Sequence, residues 1–180
     1  MDAQRYLMLA PMFLLLMWAA LIDLRHRRIP NWLTFSLAAA GLLQSFLPGH
    51  IVSPTYSLLG LLTGLLLNIG LFAINVRGGG DVKLFAALGA WVGPLLTFEV
   101  FVVSILVAAL GALLQALLSG KLGPLFSNTA LLAVSLAHPK EMGVAHVTRP
   151  DGSFRSIGRP VPYAVPVIIA TAIVLAFVRL

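Results

Sequence analysis

Two aspartates stand at the ends of apolar segments in a chain that has only 6 acidic residues. Asp23 follows the first apolar run in ALIDLRHRRIPN, and Asp81 precedes another in RGGGDVKLFAALGAW. Two carboxylates in one poorly solvated site cannot both ionise easily, so one keeps its proton and the pair supplies an acid and a base. Such a pair can activate a water for attack on a peptide carbonyl and then protonate the leaving nitrogen. The residue types therefore predict aspartyl-protease chemistry at a shared site.

Three glycines precede Asp81, and a lysine follows it closely. Gly78, Gly79 and Gly80 carry no side chains, so we expect unusual backbone angles and close approach of an extended substrate strand there. Lys83 either contacts the substrate or extends its ammonium group toward phospholipid headgroups. Asn75 and Arg77 are secondary candidates because they are near Asp81 in sequence.

Each aspartate also has a purely structural interpretation. An aspartate that follows glycine is a common helix N-cap, which would account for Asp81. Asp23 could pair with His26 or Arg27, three and four residues further along a helix. The helix dipole does not assign acid and base, because Arg27 opposes the effect of the helix C-terminus on Asp23. The functional interpretation gains weight because ionisable residues at membrane depth usually serve a function.

The elements that must position these residues are membrane helices. The 180 residues are 59% hydrophobic and 10% charged, with a mean hydropathy of +0.99, which exceeds what one small soluble core can bury. We therefore predict an all-α integral membrane protein with six transmembrane helices, forming a single domain over residues 1 to 180. The apolar runs are 6 to 24, 32 to 47, 56 to 76, 82 to 97, 99 to 118 and 161 to 178.

Basic residues predict the orientation. Of the 12 Lys and Arg residues, all but Arg5 and Arg179 lie in three loops, at 25 to 31, 77 to 83 and 119 to 160. The positive-inside rule puts these loops in the cytoplasm and both termini outside it. Both aspartates are then at the cytoplasmic side. Within the longest loop, GPLFSNTALLAVSLAH is too short for an easy span and predicts a helix that lies in the interface.

Smaller signals concern helix ends and helix packing. Asn31 is a plausible N-cap for the second helix, and Gly93-Pro94 predicts a break in the fourth. Small residues spaced four apart let helix backbones approach closely. They occur at Gly60 and Gly64 and again at Gly89 and Gly93.

The composition argues against several other classes of site. The chain has no cysteine, and its 4 histidines lack ligand spacing, so we predict no metal and no cofactor. The net charge of +6 reflects topology rather than nucleic-acid binding, because the basic residues lie between apolar segments.

Two blocks of sequence resemble the type IV prepilin peptidases, specifically the short form associated with Flp-type tight-adherence pili. DLRHRRIPNWLT, beginning at Asp23, is similar to the first catalytic block of that family. GGGDVKLFAALGAWVG, beginning at Gly78, resembles the second, which carries the Gly-x-Gly-Asp motif and its following Lys. RPVPYAVP is similar to a weaker C-terminal segment.

The resemblance implies an enzyme of the bacterial inner membrane that cleaves prepilin leader peptides on the cytoplasmic side. Cleavage would follow a Gly and precede the hydrophobic helix of the pilin, with Asp23 and Asp81 as the catalytic pair. The expected partners are a prepilin precursor and the lipid bilayer. Larger family members add a cytoplasmic region with paired cysteines that is associated with zinc and with methylation. The first basic loop is short here and cysteine is absent, so we do not expect methyltransferase activity.

Two alternatives remain open. The aspartates could relay protons in a small proton-coupled transporter, or the chain could be an inactive pilus-assembly scaffold with the same fold. The peptidase is favoured over the transporter because both acids lie at one end, whereas transport usually requires polar groups through the midplane.

Overall fold

The structure is a computed structural model that describes residues 3–73, 78–120, 123 and 162–177. These residues are helical apart from short connections, as predicted. The helices are α1 (Ala3–His26), α2 (Asn31–Gln44), α3 (Pro54–Ala73), α4 (Gly79–Leu118) and α5 (Ala164–Phe177). Asn75, Arg77 and the predicted interfacial helix beyond its first residue, Gly123, lie outside the described residues.

The long helix α4 is two helices that fold back on each other. Gly93 inside it has φ 80° and ψ 176°, and Pro94 follows. The rings of Phe85 and Phe101 are 5.8 Å apart between centroids, whereas a straight helix would separate these residues by about 24 Å. The break predicted at Gly93-Pro94 is therefore confirmed. The predicted boundary between the fourth and fifth runs, near residue 98, was wrong, because Gly93 adopts a non-helical conformation and Pro94 lacks an N–H.

Within the described residues, two helical stretches are long and apolar enough to cross a membrane, namely Leu7–His26 and Gly79–Leu118, and the second of them is divided at Gly93. Pro54–Gly70 and Ala164–Phe177 are shorter apolar helices. Length and composition of this kind also occur in buried core helices and in signal sequences. These helices expose large apolar side chains, which the core helices of a soluble protein bury. Leu14, Leu66 and Leu95 are each more than half exposed.

The chain divides into two compact units. One comprises Met1–Val107 and Pro162–Leu180, and the other comprises Ala108–Val161. The core of the first unit is built from fully buried side chains that include Leu16, Leu33 and Phe85. In the second unit the structure describes the end of α4, which stops before Gly120, a residue with a φ of 65°.

Glycines allow α3 to cross the first half of α4 so closely that the backbones of the two helices are in contact. A Cβ added at Gly60 would overlap the carbonyl oxygen of Gly89 and lie 2.7 Å from the Cα of Gly93. A Cβ at Gly64 would overlap the carbonyl oxygen of Phe85. The packing role predicted for the two Gly-x-x-x-Gly pairs is thus confirmed, and it holds the beginning of α4 against α3.

Candidate active site

Asp23 lies near the end of α1 and is 7% exposed. Its carbonyl oxygen accepts the N–H of Arg27 at 2.9 Å, and Arg27 ends the helix in a left-handed conformation with φ 53°. Its carboxylate oxygen Oδ2 accepts a hydrogen bond from the backbone N–H of Ala164 at 3.2 Å. The hydrogen bond to this carboxylate therefore comes from α5, not from His26 or Arg27.

The start of α5 explains why this N–H is available. The carbonyl of Tyr163 accepts the N–H of Val167, so Ala164 is the first residue of the helix. The first N–H groups of a helix have no partner within it, and the helix dipole favours an acceptor there. Pro162, before the helix, and Pro166, in its first turn, favour a helix start because neither position needs an N–H donor.

Asp81 lies in the first turn of α4 and is half-buried. Its backbone N–H donates to the carbonyl of Gly78 at 3.1 Å, which closes the first turn. This end of α4 packs against the segment that follows α1. A Cβ added at Gly80 would lie 3.3 Å from the Cβ of Ile29 and 3.7 Å from its backbone nitrogen. Gly80, the residue before Asp81, therefore packs on Ile29 in the connection between α1 and α2.

Gly79 and Gly80 begin α4 and are helical, so they do not adopt the unusual angles that we predicted. A Cβ at Gly79 would lie 3.5 Å from the ring of Phe72, and one at Gly78 would lie 3.9 Å from Oδ2 of Asp81. Close packing on Ile29 explains a glycine at position 80, but it does not explain the glycines at positions 78 and 79. The predicted contact of these glycines with substrate stays a prediction.

Lys83 points toward α2. Its Nζ donates to Oδ1 of Asn31 at 2.9 Å and lies 5.8 Å from the centroid of the Phe35 ring. The prediction that Asn31 caps α2 was wrong, because Pro30 occupies the N-cap position and Asn31 is already helical. The Asn31 side chain instead binds Lys83. A contact between Lys83 and substrate stays a prediction.

Two sets of contacts link the surroundings of Asp23 with those of Asp81. Phe85, one turn after Asp81, packs on the ring of Tyr163 with centroids 6.2 Å apart. Tyr163 immediately precedes Ala164, whose N–H binds Asp23. The contact of Ile29 with Gly80 forms the second link. The two carboxylates therefore lie at the same end of the first unit, one buried and hydrogen-bonded and one half-buried.

Ser104, Tyr163 and Ala164 had no predicted role in this region, although Tyr163 and Ala164 lie in the segment RPVPYAVP. The hydroxyl of Tyr163 lies 2.7 Å from Oγ of Ser104 in the second half of α4, and the N–H of Ala164 binds Asp23. The prolines around Tyr163 signal the start of a helix, but a backbone donor has no signature in the side chains.

Comparisons with known proteins support the family resemblance of the two sequence blocks that begin at Asp23 and Gly78. The model of the type IV leader peptidase family matches residues 10–113, which include both aspartates. A relative from Escherichia coli O78:H11, named type 4 prepilin-like proteins leader peptide-processing enzyme, is 34% identical over 84 residues. That match covers 43% of this chain and 31% of the relative, so it spans about a third of the relative's length. No solved structure matches the chain. Because the family model covers more than half of the chain, the protein belongs to the type IV leader peptidase family.

Proposed function

We propose that this protein is a membrane-embedded aspartic endopeptidase that cleaves the leader peptides of type IV prepilins, with Asp23 and Asp81 as its catalytic residues. One observation carries the proposal: a buried carboxylate, bound by the first N–H of α5, lies at the end of the molecule where Asp81 opens α4. Both positions fall within the residues matched by the family model.

The chemistry follows from two carboxylates that share one proton. The ionised carboxylate takes a proton from a water as the water oxygen bonds to the peptide carbonyl carbon. The protonated carboxylate donates to the carbonyl oxygen. When the tetrahedral intermediate collapses, the C–N bond breaks and the leaving nitrogen takes the proton of the protonated carboxyl, while the other carboxylate takes a proton from a hydroxyl of the intermediate. This exchange leaves one acid and one base in the pair again. The two aspartates suffice for these steps.

The membrane arrangement is part of the proposal. We propose that α1, α2, α3, the two halves of α4 on either side of Gly93, and α5 form six spans. Exposed leucines along α1, α3 and α4 favour contact with lipid over contact with water. Six spans with both termini outside the cytoplasm would leave both aspartates at the cytoplasmic face of the bacterial inner membrane.

The proposed substrate is an Flp-type prepilin, cut after a Gly that separates a short polar leader from a hydrophobic helix. A site at the end of the helices suits a bond at that junction, because the pilin helix can remain in the lipid. Gly lowers helix propensity, so the chain around the bond can extend for attack. We propose that Gly78, Gly79, Gly80 and Lys83 lie along the leader.

The test uses the purified protein in liposomes with a precursor that has a polar leader, a Gly junction and a hydrophobic helix. Asp23→Asn and Asp81→Asn should each reduce turnover at least about a hundredfold, because an amide can neither accept nor share the proton. Glu99→Gln is a matched control, since Glu99 is an exposed acid on the second half of α4. Near-native turnover of either Asp variant would refute the catalytic pair. Proton flux through liposomes that depends on both aspartates, without cleavage, would favour a transporter.

A further inference from the structure

Tyr163 connects three elements at the end of the first unit. Its ring packs on Phe85, which is fully buried one turn after Asp81. Its hydroxyl lies 2.7 Å from Oγ of Ser104. Ser104 Oγ also lies 2.8 Å from the carbonyl oxygen of Phe101 and has one hydrogen to donate. The serine therefore donates to that carbonyl, and the tyrosine hydroxyl donates to the serine.

The residue after Tyr163 holds the buried carboxylate. Ala164 is 2% exposed, and its N–H donates to Oδ2 of Asp23. Because the peptide unit between Tyr163 and Ala164 is planar, the direction of this N–H depends on where Tyr163 is held. The ring contact and the hydroxyl bond of Tyr163 thus determine where the donor points.

We propose that Tyr163 is a positioning residue that sets the Asp23 carboxylate relative to Asp81 by way of the Ala164 N–H. This inference rests on the proposed function. With Oδ2 bound to the backbone, Oδ1 is the oxygen of Asp23 that exchanges the proton with water or substrate. Ser104 supports this arrangement by fixing the tyrosine hydroxyl, and Phe85 supports it by fixing the ring beside the first turns of α4.

The first experiment removes the N–H without removing the helix. Ala164→Pro deletes the donor at the first helical position, where proline is well tolerated, and the preceding residue can adopt the extended angles usual for an N-cap. Ala164→Val keeps the donor and adds a comparable bulk. In liposomes with the Gly-junction precursor, the proline variant should lose about ten- to a hundredfold in kcat, the size expected for one hydrogen bond to a charged group.

The comparison between these two variants decides the role of the N–H. KM should stay within about twofold of the wild-type value for both, because leader binding is not altered. The valine variant keeps the hydrogen bond, so its loss of kcat should be at least about threefold smaller than that of the proline variant. Equal losses of kcat in the two variants would overturn the proposal, because added bulk would then explain the effect. A change confined to KM would also overturn it.

The second experiment tests Tyr163 without altering the backbone. Tyr163→Phe and Ser104→Ala each remove the same hydroxyl bond and should lower kcat about two- to tenfold. Ser104→Ala also removes the hydrogen bond that Ser104 donates to Phe101. The double variant should lose no more than the larger single loss, because Tyr163→Phe removes only a hydrogen bond that Ser104→Ala has already removed. Tyr56→Phe is the matched control, since Tyr56 is 54% exposed on α3, and it should leave kcat unchanged.

Failure of this inference can be told apart from failure of the proposed function. If Asp23→Asn and Asp81→Asn abolish cleavage but the kcat losses of Tyr163→Phe and Ser104→Ala multiply, the positioning role is refuted and the peptidase stands. Unchanged kcat in both Tyr163→Phe and Ser104→Ala would also refute the positioning role and leave the peptidase proposal standing. If the wild-type protein does not cleave the precursor, both proposals are refuted.

Discussion

Gly64 is the position at which one added methyl group should most directly disturb the site. A Cβ there would overlap the carbonyl oxygen of Phe85 and lie 2.6 Å from its carbonyl carbon and 2.9 Å from the nitrogen of Ala86. Nonbonded carbons settle at about 3.5–4.0 Å, so α3 and α4 must separate by about 1 Å in the Gly64→Ala variant. The obstructing atoms belong to the backbone, and no rotation of a side chain can relieve the overlap.

The displacement should affect both stability and catalysis. Overpacking of this kind costs about 1–3 kcal/mol of unfolding free energy. Phe85 is one turn from Asp81, so the same shift moves the carboxylate relative to Asp23. A misplacement of about 1 Å can lower the rate about a hundredfold. We therefore expect Gly64→Ala to insert into the membrane, unfold at a lower temperature in detergent and process the precursor about a hundredfold more slowly.

Gly70→Ala on the same helix is the matched control. Nothing lies within 4 Å of a Cβ at Gly70, and alanine favours a helix interior by up to about 1 kcal/mol over glycine. This variant should be as stable as the wild type or slightly more stable, with the wild-type rate. If Gly64→Ala matched Gly70→Ala in both thermal unfolding and processing rate, the close crossing of α3 and α4 would be wrong.

Three further predictions concern the glycines before Asp81, the position of the cleavage site in the substrate, and the membrane topology. Gly80→Ala should unfold at a lower temperature than Gly79→Ala, because a methyl at Gly80 presses on Ile29 at 3.3 Å while one at Gly79 finds an ordinary contact of 3.5 Å; equal unfolding temperatures would contradict this. Moving the Gly junction of the precursor two helical turns into its hydrophobic segment, about 11 Å, should nearly eliminate processing, and efficient cutting would show that the site reaches into the bilayer. Single cysteines in 48 to 55 should react with an impermeant reagent from outside the cytoplasm, and cysteines in 140 to 155 only after the inner face is opened; reversed labelling would overturn the orientation.

The positions of Asp23 near the end of α1 and of Asp81 in the first turn of α4 were predictable, because the apolar runs show where helices begin and end. The same holds for the Gly-x-x-x-Gly pairs and for the break at Gly93, since small residues and proline act through local sterics that any sequence displays. In each case, the residue type itself limits what the backbone can do.

The partner of each residue was decided by the tertiary structure. The Ala164 N–H that binds Asp23 comes from a segment 141 residues away in sequence, and every non-proline residue carries the same donor. Asn31 has the residue type of an N-cap, yet its oxygen accepts from Lys83, which α4 brings beside it. Sequence patterns report which groups need a partner, whereas only the packing of helices distant in sequence selects which partner lies within hydrogen-bonding distance.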